Sequence, residues 1–124
     1  MAGMTRFLER KILGHLLLKQ RYDVPSNLYL ALLGKDGKEL TGKGYSRQVI
    51  TFGKGQNDDE VKSNVTAQFP VAQDLWGEVV ATAIFDSIQG GNILYSGEVG
   101  NTKKIEKNDQ IRFDAGNITI KIGE

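Results

Sequence analysis

Two Gly-Lys-Gly triplets, Gly42-Lys43-Gly44 and Gly53-Lys54-Gly55, are the first residues in this chain whose types could do chemistry. Glycine beside lysine is the material of loops that cradle phosphate. Such a loop needs Gly-Lys followed by Ser or Thr, with a strand before it and a helix after it. Here Gly44 is followed by Tyr45 and Gly55 by Gln56. A strand, Tyr45–Phe52, is expected after the first triplet, so no helix N-terminus is available to receive a pyrophosphate. The triplets are therefore expected to bracket that strand as turns. Their glycines would supply positive φ or a bulge, and their lysines would keep the turns wet.

The acidic run Asp58-Asp59-Glu60 raises the question of calcium. A calcium loop places carboxylates at alternate positions around a central glycine. Adjacent carboxylates do not converge in that way, so no metal is expected. The single histidine, His15, lies among leucines in a predicted helix, away from any loop that could build a triad. Asp86 and Asp109 are a conceivable carboxylate pair, but both sit at predicted strand ends, where carboxylates commonly stabilise turns. With no nucleophile and base in reach of each other, no catalytic residue, cofactor or small-molecule substrate is expected. A cytoplasmic hydrolase is the weakest of the functional readings.

Trp76, before Gly77 at a loop mouth, has two readings. It could stack on a pyranose ring, making the chain a carbohydrate-binding host-recognition module. A lone Trp at the edge of a sandwich more often plugs the end of the core. Arg47 is expected to be half-buried on the same strand face as Tyr45 and Val49. A buried guanidinium there wants a carboxylate fork, with Asp86 and Asp109 as the expected partners.

The elements that must hold these residues follow from composition. The chain has 124 residues, enough for one domain with a substantial core, and no cysteine, so disulfides and thiolate sites are excluded. Lys and Arg number 16 against 15 Asp and Glu, giving a net charge of +1 with the signs interspersed. Neither an excess nor a stripe of basic residues marks a nucleic-acid partner. The one mildly basic segment is N-terminal, with Arg6, Arg10, Lys11, Lys19 and Arg21 around Glu9. The short run Leu16-Leu17-Leu18 is neither a signal-peptide core nor a membrane span, so synthesis in the cytoplasm and no membrane partner are expected.

Residues from about Met4 to Gln20 read as a helix. Met4, Leu8, Ile12 and Leu16 form one apolar stripe, and Leu13 and Leu17 fall on a second face. Two stripes mean either a deeply tucked helix or a helix held between its own body and a neighbouring subunit. In the second case Leu8, Ile12, Leu13, Leu16 and Leu17 are the candidate interface. Residues 1–22 are thus assigned to an N-terminal helix and 23–124 to a β-sandwich within one structural domain, Pro25 ending the helical region.

The expected strands are Leu28–Leu33, Tyr45–Phe52, Val65–Phe69, Glu78–Phe85, Ile93–Glu98, Lys103–Glu106, Gln110–Phe113 and Ile118–Ile122. The polar stretch Gly53–Lys62 reads as a solvated loop. About eight strands without helix alternation make a mainly β, jelly-roll-like antiparallel sandwich. Leu28–Leu33 and Val79–Phe85 are apolar on both faces. They are expected to be central strands covered on both sides or strands with one face in a subunit contact. Asn64-Val-Thr66 and Asn117-Ile-Thr119 match the glycosylation pattern by coincidence, given no secretory signal.

An ordered series of short elements then carries a resemblance. It comprises Leu28-Tyr-Leu-Ala-Leu32, Gly44-Tyr-Ser-Arg-Gln48, Phe69-Pro70, Trp76-Gly77, Ile84-Phe-Asp86, Gly90-Gly-Asn92 with Leu94-Tyr95, and Asp109 to Ile120. Over about Leu13 to Ile122 the chain resembles small tailed-bacteriophage virion proteins usually labelled tail fibre or tail protein. It departs from them at the tight Gly34-Lys-Asp-Gly37 turn, where such proteins often carry a longer loop. The resemblance implies a non-enzymatic, β-rich virion building block. Such a subunit would self-associate as a trimer or ring and dock on other virion proteins, in a tail, fibre or baseplate or as a head decoration or cement protein. Tyr45, Arg47, Trp76, Phe85, Asp86 and Asp109 would form its structural core and family motif.

Overall fold

The computed structural model describes residues 3–121. Its elements in chain order are β1 (Gly3–Met4), α1 (Arg6–Leu17), β2 (Leu28–Leu33), β3 (Gln48–Ile50), β4 (Phe52–Lys54), β5 (Glu60–Ser63), β6 (Ala67–Gln68), β7 (Gly77–Phe85), β8 (Ile93–Ile105), β9 (Arg112–Phe113) and β10 (Thr119–Lys121). Ile122, the end of the expected last strand, lies outside the described residues.

Three antiparallel sheets make up an open sandwich. A five-stranded sheet has the order β1-β8-β7-β2-β3, a three-stranded one the order β10-β5-β4, and β6 pairs with β9. Alternation along β2 and β7 dictates two cores. Leu30 and Leu32 of β2 and Val79 and Ile84 of β7 join Ile50, Ala67, Phe69, Trp76 and Ile105 between the sheets. Ala31, Leu33, Ala83 and Phe85 form a second cluster from the same two strands. Both strands are central; β2 is buried on both faces from Leu30 to Leu33 and β7 over Ala83–Phe85, while residues 80–82 of β7 stay partly exposed. Each fully buried Leu, Val or Phe contributes about 1.5 to 3 kcal/mol.

The helix is shorter than its composition predicts. Thr5 caps it, its hydroxyl oxygen accepting from the Leu8 N–H at 3.4 Å. Its other end closes around Gly14, whose carbonyl accepts from both Leu18 and Gln20, while Lys19 turns left-handed at φ 60°. That local cap stops the helix well before Pro25. Met4 is not helical; β1 pairs Gly3 with Ser96 and Met4 with Tyr95 of β8. Thr5 continues the clamp, its N–H donating to Leu94 O at 2.8 Å and its hydroxyl to Ile93 O at 2.5 Å. The first 22 residues thus contain a strand of the main sheet as well as the helix.

Elsewhere, Ile93–Glu98 and Lys103–Glu106 merge into one strand, β8. Its register against β7 jumps from Ala81↔Glu98 to Val79↔Lys103, so residues 99–102 bulge out opposite Val80. The polar stretch Gly53–Lys62 is not merely a loop. It is the β4–β5 hairpin, whose tip is tied by Glu60 Oε1 accepting from the Gln56 and Asn57 N–H groups. The second Gly-Lys-Gly triplet therefore runs into that hairpin, with Gly53 opposite Lys62.

Candidate functional site

The predicted strand Tyr45–Phe52 is interrupted, and the interruption builds a polar knot. Pairing of β2 with β3 stops at Leu30↔Gln48 and resumes at an isolated bridge, Leu33↔Glu39. Residues 41–47 leave the ladder as a loop, the Leu40 N–H still donating to Leu32 O at 2.9 Å. The Leu32 N–H would then lack its cross-strand partner, a costly omission in a buried strand. Tyr45 supplies it: the Leu32 N–H donates to the tyrosine hydroxyl at 3.1 Å, and that hydroxyl donates to Glu39 Oε2 at 2.6 Å.

Arg47 completes the knot. Its Nε and Nη2 donate to Glu39 Oε2 and Oε1 at 2.9 and 2.8 Å, the two-pronged geometry that makes such pairs strong. Its Nη1 donates to the carbonyls of Ser87 and Gly90 at 2.7 and 2.8 Å, tying down the β7–β8 turn. The guanidinium carbon lies 3.5 Å from the centroid of Phe85. Glu39, not Asp86 or Asp109, is thus the partner of Arg47. The tight Gly34–Gly37 turn returns the chain so that Glu39 lies beside β2, within reach. Asp86 instead accepts from the Asn92 N–H, and Asp109 from the Glu106 N–H, each at 2.8 Å inside its own turn. Nor do Tyr45 and Arg47 share a strand face with Val49, because both lie in the loop before β3.

Burial tends to raise the Glu39 carboxyl. Hydrogen bonds from Arg47 and Tyr45 and the Arg47 charge outweigh it, and the group ends below the usual carboxylate range. Burial and the bond to Glu39 push the Tyr45 phenol well up, and the bond to Glu39 keeps Arg47 charged. The chemistry of this knot is cohesive. Four of the five guanidinium N–H groups have partners, and the proton-carrying groups point at one another.

Trp76 is only 4% exposed. Its Nε1 donates to Lys43 O at 3.0 Å, and its ring meets Tyr45 edge-on at 5.3 Å. It is a core plug and cannot offer a sugar platform. The first triplet serves this packing: a Cβ on Gly42 would strike the Trp76 ring, and Gly44 turns at φ 91°. The backbone carbonyl of Lys43, and not its ammonium, makes the contact that matters here.

The surfaces left unsatisfied are apolar. On α1, Leu8 is buried and Ile12 half-buried, but Leu13, Leu16, Leu17 and Leu18 are each more than half exposed. The two-stripe reading is corrected on its inner side: Leu8 is consumed within the chain and Leu16 does not follow it inward. Packing against β8 at one face leaves the other leucines uncovered. The second surface is an open cleft of about 470 Å³ between β7–β8 and β9–β10. Ile84, Tyr95, Val99, Phe113, Ile118 and Ile120 line it, all but Ile84 only partly buried. Sequence reasoning missed this cleft, because its lining comes from five separate segments.

Among the described residues no cluster of three or more His, Asp or Glu could hold a metal ion, and no helix is long and apolar enough to cross a membrane. A family model described as "Podophage GP4 fiber I protein gp80" matches residues 3–121. No curated protein matches the chain significantly.

Proposed function

Because the chain belongs to this podophage fibre protein family, we propose that it is a virion fibre subunit that joins copies of itself and other virion proteins through the exposed leucines of α1. Membership makes it a structural component of the phage particle of the tail-fibre type. The family also favours a fibre position over a head decoration or cement role. Proteins of this kind are generally not enzymes, and the knot around Arg47 serves cohesion. The subunit is made in the host cytoplasm and finds its place in the virion.

One observation carries self-association. Leu13, Leu16 and Leu17 of the last helical turns and Leu18 at the C-cap stand in solvent, on a helix capped by Thr5 and tied to the main sheet through it. Contiguous apolar patches of this kind mark interaction sites. Sedimentation or light scattering is the test. The intact chain is expected to run well above its 13.7 kDa monomer mass, and Leu13→Gln with Leu17→Gln to return it to the monomer. A chain that stays monomeric at every concentration overturns the reading. The carbohydrate-module alternative loses its support with the burial of Trp76; a glycan array with no binding is the expected result.

A further inference from the structure

We infer that the turn closing α1 is a pH-operated latch: His15 holds residues 18–22 in place while its imidazole is neutral and releases them when the ring takes a second proton. None of the atoms involved belongs to the Arg47 knot or to the leucine side chains proposed for assembly.

Past its last turn the chain folds back on the helix. The N–H groups of Leu18 and Gln20 both donate to Gly14 O, at 3.1 and 2.9 Å. The third, on Tyr22, donates to Nδ1 of His15 at 3.2 Å. An imidazole nitrogen accepts a hydrogen bond only while it carries no proton. This contact therefore needs the neutral ring, with its proton on Nε2.

The segment so held has reasons to leave. Lys19 is left-handed at φ 60°, at the position after a helix where glycine is favoured. The Tyr22 hydroxyl is shut away from water with no hydrogen-bond partner among the described residues. Burial and then the charge of Asp86 raise its phenol above the ordinary value. With a left-handed lysine and an unpaired hydroxyl against it, one acceptor can decide whether the segment stays.

Protonation would act on that segment and spare the helix. Imidazolium carries two N–H groups and no acceptor, so Nδ1–H would face the Tyr22 N–H. The same charge lies in the last turn of α1, where it interacts favourably with the helix dipole. Lys11 stands one turn before His15, and Lys19 and Arg21 follow it, Arg21 paired with Asp23 at 2.6 Å. From the sheet, β8 packs against α1 and brings Tyr95 but no charge over residues 93–97. The β7–β8 turn brings Asp86, whose charge reaches Tyr22. His15 is the single histidine of the chain, and histidine is the side chain whose ordinary titration falls between about pH 5 and 8. A transition of this turn within that range therefore reports His15.

Nuclear magnetic resonance on the intact, isotope-labelled chain tests the latch. At the upper end of the range, the imidazole nitrogen shifts are expected to place the proton on Nε2; a proton on Nδ1 overturns the latch. As pH falls, the Tyr22 amide is expected to shift along the His15 titration curve. Backbone order parameters of residues 19–22 should drop from about 0.85 to below about 0.6, while those of α1, β2 and β7 stay high. His15→Ala is expected to leave residues 19–22 mobile at every pH. His15→Asn, which keeps an acceptor that does not titrate, is expected to leave them ordered at every pH. Order parameters that ignore pH in the wild type, or stay high in His15→Ala, overturn the inference. Loss of order in α1 together with the turn overturns its local character.

Discussion

The knot around Arg47 and the cleft between β8 and β10 are opposite solutions to exposure. In the knot, Glu39, Tyr45 and Arg47 are polar, yet their key atoms have hydrogen-bond partners within the chain. In the cleft, Tyr95, Val99, Phe113, Ile118 and Ile120 are mostly apolar, yet water still reaches them. Polarity is therefore a poor guide to which part of this molecule is finished. The knot is self-sufficient and belongs to folding; the cleft has no cover among the described residues.

Breaking the knot has the largest expected effect. Arg47→Ala leaves Glu39 partly buried without its fork and is expected to cost about 3 to 5 kcal/mol, read by urea unfolding. Arg47→Lys recovers little of this, because a point charge cannot replace the fork. Next, Tyr45→Phe removes the acceptor of the Leu32 N–H and a donor to Glu39 together, for an expected loss of about 1 to 3 kcal/mol.

Acid acts on the same group. The Glu39 carboxyl is held below its unfolded-chain value of about 4.3. Its contribution is thus fully present above that value and declines as pH falls through the lower folded one. Thermal melts between pH 6 and 3 are expected to fall more steeply for the wild type than for Glu39→Gln; equal slopes would detach the knot from acid stability. The smallest stability effect belongs to the cleft. Val99→Ser or Ile120→Thr is expected to cost about 0.5 to 1.5 kcal/mol in urea unfolding, because both side chains are only partly buried against the core. A large stability loss there would erase the contrast between the two regions.

How much of this could be read from residue order depends on the range of the cause. Leu28–Leu33 and Gly77–Phe85 announce themselves as central strands because both faces are apolar, a property of each segment alone. The helix was legible, but its end was not, since the cap depends on Gly14 and a left-handed Lys19 and not on Pro25. Arg47 stood out as a buried cation needing a carboxylate. Its true partner emerged only from the Gly34–Gly37 turn and the loop at 41–47, which together place Glu39 beside β2. The hairpin within Gly53–Lys62 was hidden by polarity, because both of its strands are short and largely wet. Leu13, Leu16 and Leu17 were singled out from their spacing, and their exposure leaves them as the proposed contact.

The clamp at the root of α1 has a mechanical consequence. Load on the helix enters the body at its N-terminal end through Gly3, Met4 and the two hydrogen bonds of Thr5, and at its other end through the chain that runs on into β2. Behind that junction stands the long β7–β8 ladder. The N-terminal junction, with two strand residues and one capping threonine, is the weaker of the two, so tension there would peel β1 from β8 before it opened the sandwich.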